Sequence, residues 1–168
     1  MLEEFMHWLG FGLCHQLPER SFSAGGLQLP VCARDTGIYV GFVISLAVMA
    51  VMHRGERPRG FPSTVGWAFV GAFVAMMAWD GITSYAGFRT TTNDLRLFTG
   101  LAAGFAASVV VLPMINDGVW KTPGAGRVLE PAPRLAFWLL VLPVSFLVIR
   151  QIGPLLGIWY AVLVACCI

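Results

Sequence analysis

Apolar and polar residues fall in blocks along this chain rather than alternating. Five uninterrupted apolar runs, at residues 36–52, 64–79, 97–115, 135–149 and 153–168, are separated by short polar stretches. A helix rises 1.5 Å per residue and needs about 20 residues to cross a bilayer core. Several of the runs fall short of that, so the helices are expected to extend into the polar flanks. The last two runs are the least regular. Pro143 interrupts one, and only Arg150 and Gln151 separate the pair, which leaves a re-entrant pair as the alternative to two crossings. Residues 5–13 are apolar but too short to span, and are expected at the interface, a setting that suits His7 and Trp8. Residues 17–30 hold Pro18, Gly25, Gly26 and Pro30 and read as a loop. The pattern predicts an all-α, polytopic transmembrane bundle of about five apolar helices with a short N-terminal interfacial segment. It reads as one integral membrane domain over 1–168.

Composition agrees. With 57% hydrophobic and 12% charged residues and a mean hydropathy of +0.75, there are too few charges to cover a soluble globule. The net charge is only +2 and the basic residues are scattered, so membrane lipids are expected as partners and nucleic acid is not. Glu3 and Glu4 stand where a signal peptide would carry positive charge, and no long apolar core follows; no cleaved signal is expected. Arg54, Arg57 and Arg59 lie between the first two runs, and Lys121, Arg127 and Arg134 between the third and fourth. The positive-inside bias makes both loops cytoplasmic. The expected product is a multi-pass protein of the cell membrane with its N-terminal polar segment outside the cytoplasm.

Two polar segments, 14–35 and 80–96, then share a face, because two crossings separate them. If the approach to the third run is already helical, Arg89, Asn93 and Arg96 line one stripe, continued by Gly100, Gly104 and Ser108. The first run repeats the arrangement with Arg34, Gly37, Gly41 and Ser45. Small residues at this spacing let membrane helices approach closely, so the first and third runs are expected to pack along these stripes with Arg34 and Arg96 together at one end. Two guanidinium groups held together need an anion between them. Asp35, Asp80 and Asp94 are the internal candidates, and a lipid head group or phosphate is the external one. Arg34, Arg89, Arg96 and Asn93 are therefore the candidate anion-binding residues.

The cysteines admit three readings. Cys14 and Cys32 bracket a 17-residue loop, which a disulfide would close with about 3 kcal/mol of stabilisation. A metal site is the second: Cys32 and Asp35 stand one helical turn apart, and Cys14 or His15 returns across the loop. Zinc accepts such a mixed sulfur, nitrogen and oxygen set, with water or Asp80 completing it. A reactive thiol is the third, since Cys32 lies near a predicted helix start beside Arg34. Cys166 and Cys167 read as small apolar residues at a helix end.

The motifs Cys14-His15-Gln16, Pro18-Glu19-Arg20-Ser21-Phe22, Pro30-Val31-Cys32-Ala33-Arg34 and Thr36-Gly37-Ile38-Tyr39 with Gly41 resemble those of a family of predicted bacterial membrane proteins carrying a domain of unknown function. Asp80-Gly81 and Asn93-x-x-Arg96-x-x-Thr99-Gly100 resemble its second signature, and the likeness covers about residues 10–104. The resemblance implies no activity. It does imply a comparison, because many relatives carry a cysteine at the place of Asp35. Exchanging Cys for Asp keeps a metal ligand and removes a redox dithiol, which argues against a Cys-x-x-Cys oxidoreductase here.

Walker, dinucleotide-binding, GxSxG and HExxH patterns are absent from the sequence, and no run has an ionisable residue at its centre. Two functions follow. One is a membrane protein whose extracytoplasmic polar cluster binds a metal ion or is locked by a disulfide. The other is a membrane-embedded enzyme acting on a lipid-linked phosphate, with His15 and Asp80 as the candidate catalytic residues.

Overall fold

Each of the first four apolar runs becomes a helix that outreaches its apolar limits, as the bilayer argument requires. The computed structural model describes residues 2–122 and 124–168. A short helix α1 (Leu2–Gly10) precedes the loop, in which β1 (Ser23–Ala24) and β2 (Leu27–Gln28) form a minimal antiparallel hairpin. The helices α2 (Ala33–Met52), α3 (Thr64–Tyr85), α4 (Asn93–Val119) and α5 (Ala132–Ile152) follow. Among the described residues, four helical segments are long and apolar enough to cross a membrane, the fourth continuing from α5 through Leu156. The chain is thus a multi-pass helical membrane protein.

The fifth run forms a helix too short to span. Gly153–Leu156 is a 3-10 turn carrying Pro154, and Gly157 takes a φ of 55°, a left-handed conformation that breaks the helix. That leaves ten residues for α6 (Ile158–Cys167). It folds back on the N-terminal segment: Tyr160 and Val164 bury against Leu29 and Val31, and Ala161 lies with Met6 and Leu27.

α4 is the central helix. Two thirds (67%) of its most apolar stretch is buried, against 28% or less for the other three, whose outer faces are left for lipid. It packs on α2 along the small-residue stripes. A Cβ on Gly100 would lie 2.1 Å from the Arg34 carbonyl oxygen, and one on Gly104 2.2 Å from that of Ile38, so only glycine permits this approach. The stripes end in a polar contact: Ser45 Oγ lies 2.5 Å from Ser108 Oγ and accepts from Trp138 Nε1 at 2.7 Å. Trp138 of α5, fully buried, sits 5.8 Å from the Phe73 ring and 5.4 Å from Phe105, joining α3, α4 and α5.

The two basic loops meet at the far end of the bundle. There β3 (Pro58–Gly60) pairs in parallel with β4 (Gly124–Arg127). Exposed aromatic side chains ring both ends, Trp8, Trp79, Tyr85 and Trp159 at one and Phe61, Trp67 and Trp120 at the other. These are the positions amphipathic rings take at a bilayer interface.

Candidate metal centre and cationic cleft

Cys32 is the residue from which the site is built. It caps α2, and one turn later Asp35 Oδ2 accepts from its thiol at 3.2 Å. Cys14 arrives from the loop. Its Sγ accepts the backbone N–H of Cys32 at 3.3 Å and that of Gln16 at 3.4 Å. The loop is held in this shape by Gln16, which has a left-handed backbone (φ 50°). Its side-chain amide donates to the carbonyls of His7 at 2.9 Å and Pro30 at 2.6 Å, and its own carbonyl accepts from Gln28 at 2.8 Å. Gly10 makes room for this knot, since a Cβ there would lie 1.8 Å from the Pro30 oxygen.

The outcome is a group of three ligand atoms, one each from Cys14, Cys32 and Asp35, all within 4.8 Å of one another and each residue half-buried. Both cysteines are free thiols. The side-chain contact with Cys32, reinforced by the two backbone N–H groups and opposed by burial, holds the Cys14 thiol down at about 7. The same contact and burial push Cys32 up, so the first proton leaves Cys14. A thiolate cradled by backbone N–H groups beside a second thiol and a carboxylate is a donor set that can hold a metal ion.

These residues line a cleft of about 400 Å³ together with Arg20, Arg34 and Arg96. Arg34 and Arg96 are therefore at the same end, as the stripes require. Asp80 is 1% exposed and is shared: Oδ2 accepts from Arg34 at 2.5 Å and Oδ1 from Arg89 at 2.6 Å, with the Thr99 hydroxyl donating at 3.4 Å. Asp94 pairs with Arg150 at 2.6 Å. Arg96, 8% exposed, donates to Asn93 Oδ1 at 3.1 Å, and Asn93 in turn donates to the Ser21 carbonyl at 3.4 Å. Among the described residues neither Arg20 nor Arg96 has a carboxylate within ion-pair distance.

Several sequence expectations are thereby sorted. Arg89 is not on the α4 stripe: Thr92 caps the helix, accepting from Leu95 N at 3.2 Å, so α4 begins at Asn93 and Arg89 reaches Asp80 from the link before it. His15 is exposed and lines the cleft but is not in the metal-ligand group, because its neighbour Cys14 takes the inward direction. Asp80 is likewise outside that group and has both oxygens engaged by guanidinium groups. Arg20, which ends a 3-10 turn (Pro18–Arg20), was not among the candidate residues. Its position in the Pro-Glu-Arg-Ser-Phe motif was the available signal.

Fold and site together define a polytopic helical membrane protein with a cysteine-bearing polar cleft at one end of the bundle. The chain belongs to the family described as predicted membrane protein (DUF2085), whose profile matches residues 14–110, a stretch that starts at Cys14 and includes Arg96. An uncharacterized protein of the archaeon Methanocaldococcus jannaschii is 34% identical over 109 residues, 65% of this chain and 67% of its own. An uncharacterized protein of Methanothermobacter thermautotrophicus is 36% identical over 99 residues, 58% of this chain and 83% of its own. No solved structure matches the chain.

Proposed function

We propose that this is a metal-binding protein of the cell membrane, in which Cys14, Cys32 and Asp35 hold a divalent ion, zinc by the chemistry of the donors, at the extracytoplasmic face. The observation that carries the reading is the convergence of three ligand atoms within 4.8 Å. Tetrahedral zinc needs ligand atoms about 3.7 Å apart; the group lies within 4.8 Å with Cys32 Sγ and Asp35 Oδ2 at 3.2 Å, so binding asks for only small adjustments. Two thiolates and a carboxylate leave one position for water or for a ligand entering from the cleft that all three residues line. The test is metal content together with a free-thiol count on protein purified in detergent without chelator. Stoichiometric zinc with Cys14 and Cys32 reduced, lost in Cys32→Ser and Asp35→Asn, is the expected result. Metal-free protein with the two cysteines joined in a disulfide would overturn it in favour of a disulfide-locked loop.

A second reading concerns the other half of the cleft, where Arg20 and Arg96, without a carboxylate in ion-pair distance among the described residues, favour an anionic ligand, a phosphate or a lipid head group. Phosphate binding that is lost in Arg20→Gln supports it. An unchanged affinity in that variant counts against it.

A further inference from the structure

We propose that the cleft takes a phosphate-bearing lipid which enters sideways from the bilayer, its head group against Arg20, Arg34 and Arg96 and its acyl chain along the outer face of α3. This rests on the anionic-ligand reading and adds the class of the ligand. A second, shallow cavity of about 520 Å³ lies against α3, lined by Met77, Ala78, Ile82 and Ala86, and it shares Arg34, Gly81 and Tyr85 with the cleft. Polar cleft and apolar groove therefore join at those three residues. Ile82 and Tyr85 are 66% and 89% exposed on a helix buried over only 17% of its apolar stretch, so the groove faces lipid rather than protein. Gly81 keeps the junction open: a Cβ there would meet only Arg34 Nη1, at 3.7 Å.

Charge selects the head group. Three guanidinium groups stand against the carboxylate of Asp35, while Asp80 is offset by Arg89. The balance favours a dianion, and it is the same with both thiols protonated as with both bound as thiolates to a divalent ion. Hydrogen-bonding capacity is also unspent: among the described residues Arg34 Nε has no acceptor, and Arg96, 8% exposed where it lines the cleft, has only Asn93 as a side-chain partner. A phosphomonoester on a diacyl or dialkyl chain satisfies both halves of the cavity, and a soluble phosphate satisfies one.

The experiment uses the full chain, stripped of lipid in detergent, with dioleoyl phosphatidic acid, dioleoyl phosphatidylcholine and glycerol 3-phosphate as probes in native mass spectrometry and equilibrium titration. Phosphatidic acid is expected to bind at least about tenfold more tightly than either other probe, and Arg96→Gln or Arg20→Gln to weaken it by about tenfold, the scale of one lost charged hydrogen bond. Ala78→Phe, on an exposed position that lines the apolar groove and not the cleft, is expected to weaken phosphatidic acid and leave glycerol 3-phosphate unchanged. Equal binding of glycerol 3-phosphate, insensitive to Ala78→Phe but lost in Arg20→Gln, would sink the lipid inference and leave the anionic-ligand reading standing. Failure of both phosphates to bind would sink both. Equal binding of phosphatidylcholine would remove the head-group selection and with it this proposal.

Discussion

Asp80 decides the electrostatics of the cleft. A carboxylate 1% exposed near the end of a membrane helix is costly unless compensated, and here two guanidinium groups and a hydroxyl compensate it. Removing it strands Arg34 and Arg89 in a region that already holds Arg20 and Arg96. Breaking a fully buried pair costs roughly 3–5 kcal/mol, but Arg34 and Arg89 are 24% and 39% exposed, so solvent screens part of the loss. Asp80→Asn is therefore expected to destabilise the protein by about 2–3 kcal/mol, and Arg89→Gln by less than about 1 kcal/mol. Unfolding in detergent micelles measures both. An Asp80→Asn protein as stable as the parent that had lost metal or lipid binding would instead make Asp80 part of the ligand site. The acidity of Asp80 was visible in the sequence, and so were its rival partners. Which arginine it would choose was not, because that depended on α4 starting at Thr92's cap rather than a turn earlier.

At the scale of elements, the contact between α2 and α4 is where sequence reasoning reached furthest. Glycine and serine recurring at helical spacing on two apolar runs have one physical use in a bilayer, close backbone approach, and the Arg34–Ser45 and Arg96–Ser108 stripes meet as that argument requires. The prediction that follows is a contrast between glycines. Gly100→Ala and Gly104→Ala place a methyl 2.1–2.2 Å from a carbonyl oxygen of α2 and are expected to abolish the folded monodisperse species. Gly71→Ala and Gly118→Ala meet nothing within 4 Å and are expected to be neutral or stabilising by up to about 1 kcal/mol, as alanine replaces glycine in a helix. Size-exclusion profiles and melting temperatures of the four variants test this, and tolerance of Gly100→Ala would refute the tight stripe. The N-terminal loop was less legible. Its conformation rests on Gln16 bridging His7 and Pro30, contacts spanning 9 and 14 residues that no periodicity reports. The last run was open in a different way: its length allowed either a crossing or a re-entrant pair, and Gly153, Pro154 and Gly157 form a turn in its first residues that leaves too few for a crossing.

Across the whole molecule charge is handled differently at the two ends of the bundle: among the described residues Arg20 and Arg96 at the cleft have no ion pair, while at the far end Glu56 is clamped between Arg134 and His53. At that far end His53, 4% exposed, accepts the Leu129 N–H on Nε2 at 3.2 Å, and its Nδ1 lies 3.1 Å from both Glu56 Oε2 and Arg134 Nη1. Arg134 of α5 grips Glu56 with two hydrogen bonds of 2.5 and 2.6 Å. Together they tie the α2–α3 loop to α5 and to the segment before it. Arg134 first, and then His53, hold the Glu56 carboxyl down at about 2, from an ordinary value near 4.5. The sign of the linkage follows: a carboxyl more acidic in the folded state adds stability above its unfolded pKa, and that stability is lost as pH falls from about 4.5 towards 2. Glu56→Gln removes it at every pH. The melting temperature of the parent is therefore expected to exceed that of Glu56→Gln by a constant margin above pH 5, with the margin closing below about pH 4.5. A margin that widened on acidification, or was absent at neutral pH, would mean that the clamp contributes nothing to holding the two loops together.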